Sequence, residues 1–209
     1  MPRALSDKDV AEFRERLCDA AERQFAAHGL EAVTMRQLAQ DLGVSPMTPY
    51  RYFKDKEAIL AAVRARGFNR HAEALEAAYA SAPPGYYERS QAVGEAYVRF
   101  AFANPEAYKL MFDITQPNEA DYPELVAAGE RSRATMTAHL DDLVASGRLK
   151  ADPELVGHLY WAAIHGPIML QFSGKLAGRF SAQKLIGSLV GILNQHFFAP
   201  EARNADAPA

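Results

Sequence analysis

Apolar residues return every three or four positions along this chain as far as residue 198, and no strand-like alternation persists anywhere. A period near 3.6 lines those residues along one side of a helix, so the pattern predicts an all-α fold of about nine helices. The helix boundaries carry their own chemistry. Ser6 with Asp9 forms a capping-box pattern ahead of Val10, Phe13, Leu17, Ala21 and Phe25, and Gly29 supplies a left-handed stop. Thr34 with Gln37 opens a short second helix carrying Met35, Leu38, Ala39 and Leu42, which Gly43 closes. After the turn Gly43-Val44-Ser45 a third helix is predicted, with Ser45 as cap and Pro46 at the first helical position, where a missing N–H costs nothing.

Asp55 caps a long helix through Ala58, Leu60, Val63, Phe68 and Leu75 toward Ser81, closed by Pro83-Pro84-Gly85. Five more helices follow, over residues 86–103, 105–113, 123–146, 153–174 and 182–198. They are separated at Asn104-Pro105, Thr115 to Tyr122, Ser146-Gly147, Asp152-Pro153 and Ser173-Gly174. The stretch 199–209 is small, polar and Pro-containing, and is expected to be a disordered tail. Three parts are thus expected: a head of residues 1–54, a body of residues 55–198, and the tail.

Composition narrows the function classes. With 49% hydrophobic residues in 209, a core can form without disulfides or metal. Cys18 is the one cysteine, which excludes an internal disulfide or a Cys-based zinc cluster and fits a reducing compartment. The first residues lack the apolar segment of a secretory signal, and no apolar run approaches the roughly 20 residues of a membrane helix. A soluble, cytoplasmic protein without a membrane partner is expected.

The net charge of −3 is unevenly spread. Residues 1–70 hold 12 Lys+Arg against 10 Asp+Glu, a net of +2, while residues 71–209 hold 11 against 16, a net of −5. The sign asymmetry points to a polyanion partner for the N-terminal end.

Three short helices within about 50 residues, the last two split by a tight Gly turn, form a helix-turn-helix. The stretch AAERQFAAHGLEAVTMRQLAQDLGVSPMTPYRYFKDKEAIL, residues 20–60, resembles the DNA-binding domain of TetR-family regulators. The resemblance lies in Gly29 and Leu30, then Thr34, Arg36, Leu38 and Ala39, the Gly-Val-Ser turn, and the ending Tyr50, Tyr52, Phe53 and Lys56. It implies a double-stranded DNA operator as partner. Thr34 and Arg36, at the N-terminus of the motif's first helix, are suited to a phosphate oxygen and should fix register. Met47 and Thr48 begin the implied recognition helix after Ser45 and are the candidates for base reading, Met47 against a thymine methyl. Tyr50, Tyr52, Lys54 and Lys56 would meet the backbone, with Arg51 as a further contact. Tyr50 equally suits half-buried packing, and Lys54 and Lys56 equally suit solvated charges.

Pro49 departs from the family pattern, which carries Leu, Ile or Val there. Counted from Ser45 it deletes the first intrahelical bond, crowds the Ser45 carbonyl and pushes Thr48 from the helical basin. A tightened or shifted first turn is predicted, with Thr48 as a second cap.

In the body, FAFANPEAYKLMF (residues 100–112) and WAAIHGPIMLQFSGKL (residues 161–176) look like the TetR C-terminal domain named for its Trp-His-Gly signature, here Trp161, His165 and Gly166. Phe100, Tyr108, Met111, Phe112, Trp161, His165, Met169 and Phe172 are the candidate lining of a cavity for a small apolar effector. Residue by residue, such a stripe is more often core than pocket. Leu155, Leu159, Ile164 and Leu170, then Leu185, Leu189, Leu193 and Phe197 with Gly187 and Gly191, predict a homodimer through the last two helices, paired as a four-helix bundle. The implied function is a repressor that holds a palindromic operator and releases it on binding the effector.

Two rival functions compete with this one. For an all-α enzyme there is no H-E-x-x-H pattern, Gly-rich phosphate loop or nucleophile elbow, and Glu154 with His158 reads as a surface i,i+4 pair. No catalytic residue, metal or cofactor is therefore expected. A ligand-free architectural or activating DNA binder is the second rival, separable by whether small apolar compounds alter operator binding.

Overall fold

Ser6 and Asp9 exchange both bonds of a capping box: the Asp9 amide donates to Ser6 Oγ at 3.1 Å and the Ser6 amide to Asp9 Oδ2 at 2.9 Å. The first helix, α1 (Asp7–His28), therefore starts where its sequence places it. It ends at Gly29, whose φ of +77° needs glycine; its ψ of 160° is extended, so the chain leaves the helix directly and not through the compact left-handed cap the sequence suggests. Thr34 and Gln37 repeat the box ahead of α2 (Met35–Asp41). The Ala58 amide donates to Asp55 Oδ1 at 2.7 Å, capping α3 (Lys56–Ser81).

The computed structural model describes residues 6–113, 118–145, 147, 149 and 151–197. The remaining helices are α4 (Tyr86–Ala103), α5 (Pro105–Met111), α6 (Pro123–Ala145), α7 (Pro153–Phe172) and α8 (Ala182–Phe197). Among the described residues there are eight α-helices and two short 3₁₀ turns, Pro49–Arg51 and Glu119–Asp121, with no strand. The expected tail at 199–209 lies outside the described residues, as do parts of the breaks at Thr115 to Tyr122 and Ser146-Gly147. No described helix is long and apolar enough to cross a membrane.

Two compact units divide the chain, one taking residues up to Asn69 with Glu106–Glu130, the other Arg70–Pro105 with Arg131 onward. In the first unit Ile59, Leu60 and Val63 of α3 pack into the head core with Leu17, Phe25, Leu38 and Phe53. Leu17, Leu38, Ile59 and Leu60 are fully buried, each contributing about 1.5–3 kcal/mol relative to an exposed side chain. In the same unit Gly67 lets α3 approach α5: a Cβ there would lie 2.8 Å from Met111 Cγ. One turn earlier, buried Arg64 donates to the Met111 carbonyl at 2.9 Å and pairs with Glu119.

The second unit is built around fully buried Tyr97 and Leu75 and around a cluster of Leu140, Leu143, Leu149 and Val156. The α7 and α8 helices pack together there. His71 lies inside this unit, its Nδ1 2.8 Å from Ser132 Oγ and its ring edge-on to Tyr97 and Phe100 at 4.7 and 5.0 Å.

Candidate nucleic-acid interface and ligand pocket

The segment expected to be a regular third helix is a turn followed by one 3₁₀ turn. The Thr48 amide donates to the Ser45 carbonyl at 2.8 Å, and the 3₁₀ turn begins at Pro49, where the missing donor is not required. Arg51 then bonds back to Thr48 at 3.1 Å, and the Tyr52 and Phe53 amides both donate to the Pro49 carbonyl at 3.0 Å. The tightened, shifted turn expected from Pro49 is thus present, with two corrections. Thr48 stays in the helical basin at φ −63°, ψ −46°, and it occupies the cap position without a side-chain cap bond. Pro49 itself is buried, so its ring packs the turn onto the head.

The candidate contacts separate into two sets. Thr34, Arg36, Ser45, Met47, Tyr50, Arg51 and Lys54 are exposed, Met47 by 67% and Tyr50 by 49%; for Tyr50 that exposure favours contact over packing. Thr48 is half-buried. Tyr52 and Lys56 serve the head. The Tyr52 ring stacks on Phe13 with centroids 4.3 Å apart, and the Lys56 ammonium donates to the Leu30 carbonyl at 2.8 Å. Thr34 works inside its capping box, its Oγ accepting from the Gln37 amide at 3.2 Å. Arg14 went unnoticed in the sequence, although it holds the end of the 3₁₀ segment: its guanidinium donates to the Tyr52 carbonyl at 2.6 Å and lies 4.1 Å over the Phe53 ring.

In the second unit a pocket of about 450 Å³, its mouth included, is lined by Tyr86, Ser90 and Tyr97 of α4, Met136 of α6, and Tyr160 and Trp161 of α7. Of the eight candidate lining residues, Trp161 alone reaches it. His165 stands behind Tyr97, its Nδ1 3.5 Å from the phenol oxygen. Phe100 packs on His71, and Phe172 meets Phe102 edge-on at 5.4 Å; Met169 is half-buried. Tyr108, Met111 and Phe112 belong to the other unit, where Tyr108 and Met111 are fully buried and Phe112 packs edge-on to Phe68 at 5.5 Å. Met111 packs against Gly67 of α3 and Phe112 against Phe68 of the same helix, while Tyr108 meets Phe112 edge-on at 5.0 Å.

The lining residues of α4, absent from the candidate set, share one signal. Tyr86, Ser90, Val93, Gly94 and Tyr97 fall at i, i+4, i+7, i+8 and i+11, a single face of α4 that mixes hydroxyls with small residues. The Trp161 indole N–H donates to Tyr97 Oη at 3.0 Å, and the Tyr160 hydroxyl donates to Asn194 Oδ1. Burial pushes the Tyr86 phenol up to about 12, opposed by its bond to Ser90, and pushes Tyr160 up as well. Burial also holds His165 below the usual imidazole range. Among the described residues no group of three or more His, Cys, Asp or Glu is placed to hold a metal ion.

Similarity to known proteins covers two successive stretches of the sequence. The family model "Bacterial regulatory proteins, tetR family" matches residues 17–63, and "Tetracyclin repressor-like, C-terminal domain" matches residues 90–191. A curated relative, an HTH-type transcriptional regulator of Staphylococcus aureus strain bovine RF122, is 37% identical over 62 residues, which are 30% of this chain and 34% of that protein. The chain therefore matches about a third of that relative's length. A protein of unknown function from Rhodococcus sp. RHA1 superposes with a TM-score of 0.78 at 26% identity, over 95% of this chain and 100% of the other. A TetR family transcription regulator from Marinobacter aquaeolei superposes with a TM-score of 0.68 over 90% and 97% of the two chains, and at 20% identity shows the shared fold alone. The matched family and this curated relative are both described as regulators. With both family models matched in order along a helical chain of this architecture, the protein belongs to the TetR family of bacterial transcriptional regulators.

Proposed function

We propose that the protein is a homodimeric repressor that holds a palindromic DNA operator through residues 34–54 and releases it when a small molecule enters the α4–α7 pocket. The observation that carries this reading is the exposure of Met47 and Tyr50, together with exposed Arg36 and Arg51, on a head whose other described large apolar side chains are buried or half-buried. Large apolar groups held in water next to guanidinium donors suit base methyls and phosphates together.

The second copy has its own support. Leu155 and Leu170 of α7 and Leu189 and Ile192 of α8 are 55%, 43%, 39% and 61% exposed, and above Gly187 and Gly191 the space is open. A second α7–α8 pair laid against this face would bury it as a four-helix bundle and set two heads about 34–36 Å apart, one turn of duplex. Release would run through α3, which carries the head residues Ile59 and Leu60 near its start and His71 in its middle. His71 packs edge-on to pocket residue Tyr97, so a ligand that moves the phenol also bears on α3. Function on DNA and buried, reduced Cys18 both suit the cytoplasm.

Selection of random duplexes on the purified protein tests the reading. A palindrome should be enriched, Met47→Ala and Tyr50→Ala should change the preferred bases, and pocket ligands should release the enriched duplex. Recovery of no palindrome by the unaltered protein overturns it; a palindrome that no pocket ligand releases leaves the architectural or activating alternative.

A further inference from the structure

We infer that the α4–α7 pocket selects electrically neutral, hydrogen-bonding aromatic molecules, of which an alkylated phenol is the simplest, and rejects carboxylates and quaternary ammonium ions of the same skeleton. The inference rests on reading this pocket as the effector site and specifies its chemistry. Four aromatic rings, Tyr86, Tyr97, Tyr160 and Trp161, face the space with Met136 and Ser90, and among the described residues no charged side chain lines it. Flat rings with a thioether favour a flat apolar body.

The polar atoms here are dipoles without net charge. The phenol of Tyr97 accepts from the Trp161 indole, that of Tyr160 donates to Asn194, and that of Tyr86 bonds to Ser90. Burial lowers the pKa of both imidazoles behind them, His71 and His165, and so disfavours their charged forms. Among the described lining residues a carboxylate entering this site gives up its water and finds no guanidinium or ammonium, and burying a charge without a partner is costly. A quaternary ammonium gains the ring faces but meets no carboxylate among the same residues to offset its lost hydration. A neutral hydroxyl loses little water, and the tyrosine and serine hydroxyls replace it.

Trp161 is the one tryptophan of the chain and lines the pocket, so its fluorescence reports on this site alone. The full-length protein is titrated with para-propylphenol, para-propylbenzoate and para-propylphenyl-trimethylammonium. The phenol should perturb Trp161 and saturate at a concentration about tenfold or more below either ion. Tyr97→Phe, which removes the hydroxyl beside Trp161, should weaken the phenol. Ser90→Lys, which adds a cation at a half-buried position, should shift preference toward the benzoate. Equal binding of the three compounds, preference for an ion, or no response to the phenol overturns the inference. Operator release is measured in parallel: a phenol that binds selectively and leaves the operator bound sinks the regulatory reading and leaves the ligand class standing.

Discussion

The Arg14 guanidinium of α1 grips the Tyr52 carbonyl at 2.6 Å while its Cζ lies over the Phe53 ring, 4.1 Å from the centroid, so the first helix closes the far end of the DNA-facing segment. That segment has little regular hydrogen bonding of its own, three amides between Arg51 and Phe53 serving only the carbonyls of Thr48 and Pro49. Its shape therefore depends on what packs against it.

Replacing Arg14 by Ala removes a charge-assisted bond and a ring stack together, and should cost about 1–3 kcal/mol of stability in urea unfolding. Operator affinity, measured at a temperature where both proteins are fully folded, should fall by about tenfold as the Tyr50–Phe53 turn loosens. Arg14→Lys restores the bond to the carbonyl without the planar stack and should recover part of both. Unchanged operator affinity in the Ala variant would show that Arg14 supports the fold alone.

Lys54 and Lys56 stand two residues apart and have different duties. The Lys54 side chain is 67% exposed and only loosely paired with Asp55 at 3.9 Å, whereas Lys56 is committed to the Leu30 carbonyl. Lys54→Ala should lower the slope of log affinity against log salt by about 0.9, because one phosphate fewer is neutralised and its counterion stays on the duplex. Lys56→Ala should leave that slope unchanged and cost about 1–2 kcal/mol of stability. The two slopes from binding titrations over a salt series decide it, and a drop for Lys56→Ala would return that residue to the interface.

What the sequence made legible, and what it did not, divides by range. Ser6 with Asp9 and Thr34 with Gln37 act over three residues, and both boxes form as their spacing predicts. The same locality placed α4 to α8 within a residue or two of their ends, since proline, glycine and capping residues act on their own neighbours. Lys56 finds its partner 26 residues away and Arg14 finds its own 38 away, and no periodicity encodes such pairs. Tyr108 and Met111 read equally as pocket or core, because burial in a protein core and burial around a ligand demand the same side chains. Pro49 lies between these cases: its local penalty was readable, but whether Thr48 or the turn yielded depended on how the head seats the proline ring.

His71 should make stability fall in mild acid. Burial holds its imidazole at about 4 in the folded protein, against 6.5 for the free side chain, and no other cause contributes. Above pH 6.5 the residue is neutral in both states. Between pH 6.5 and about 4 the unfolded chain takes up the proton and the folded one does not, so the unfolded state gains by about 2–3 kcal/mol at most. His71→Gln keeps a polar group near Ser132 and does not titrate; its urea midpoint, lower at pH 7, should change less between pH 7 and pH 5 than that of the unaltered protein. Parallel curves for the two would mean that His71 is protonated without unfolding.

Ile192 offers the sharpest test of the second copy. It is the most exposed large apolar side chain of α8 at 61%, on the helix that also leaves Leu189 uncovered and carries Gly187 and Gly191 with open space above them. An isologous seam repeats every contact about its axis, so one substitution changes the interface twice. Ile192→Arg would set two cations on such a seam, while in the isolated chain the same side chain simply enters water and the fold is undisturbed. Sedimentation should then show a monomer where the unaltered protein is a dimer, with an unchanged helical spectrum. Operator affinity should drop by about a hundredfold or more, because a lone head loses the effective concentration that its twin supplies. A variant that still sediments as a dimer would place the seam elsewhere; a monomer with full operator affinity would mean that one head suffices and the palindrome is not read as a pair.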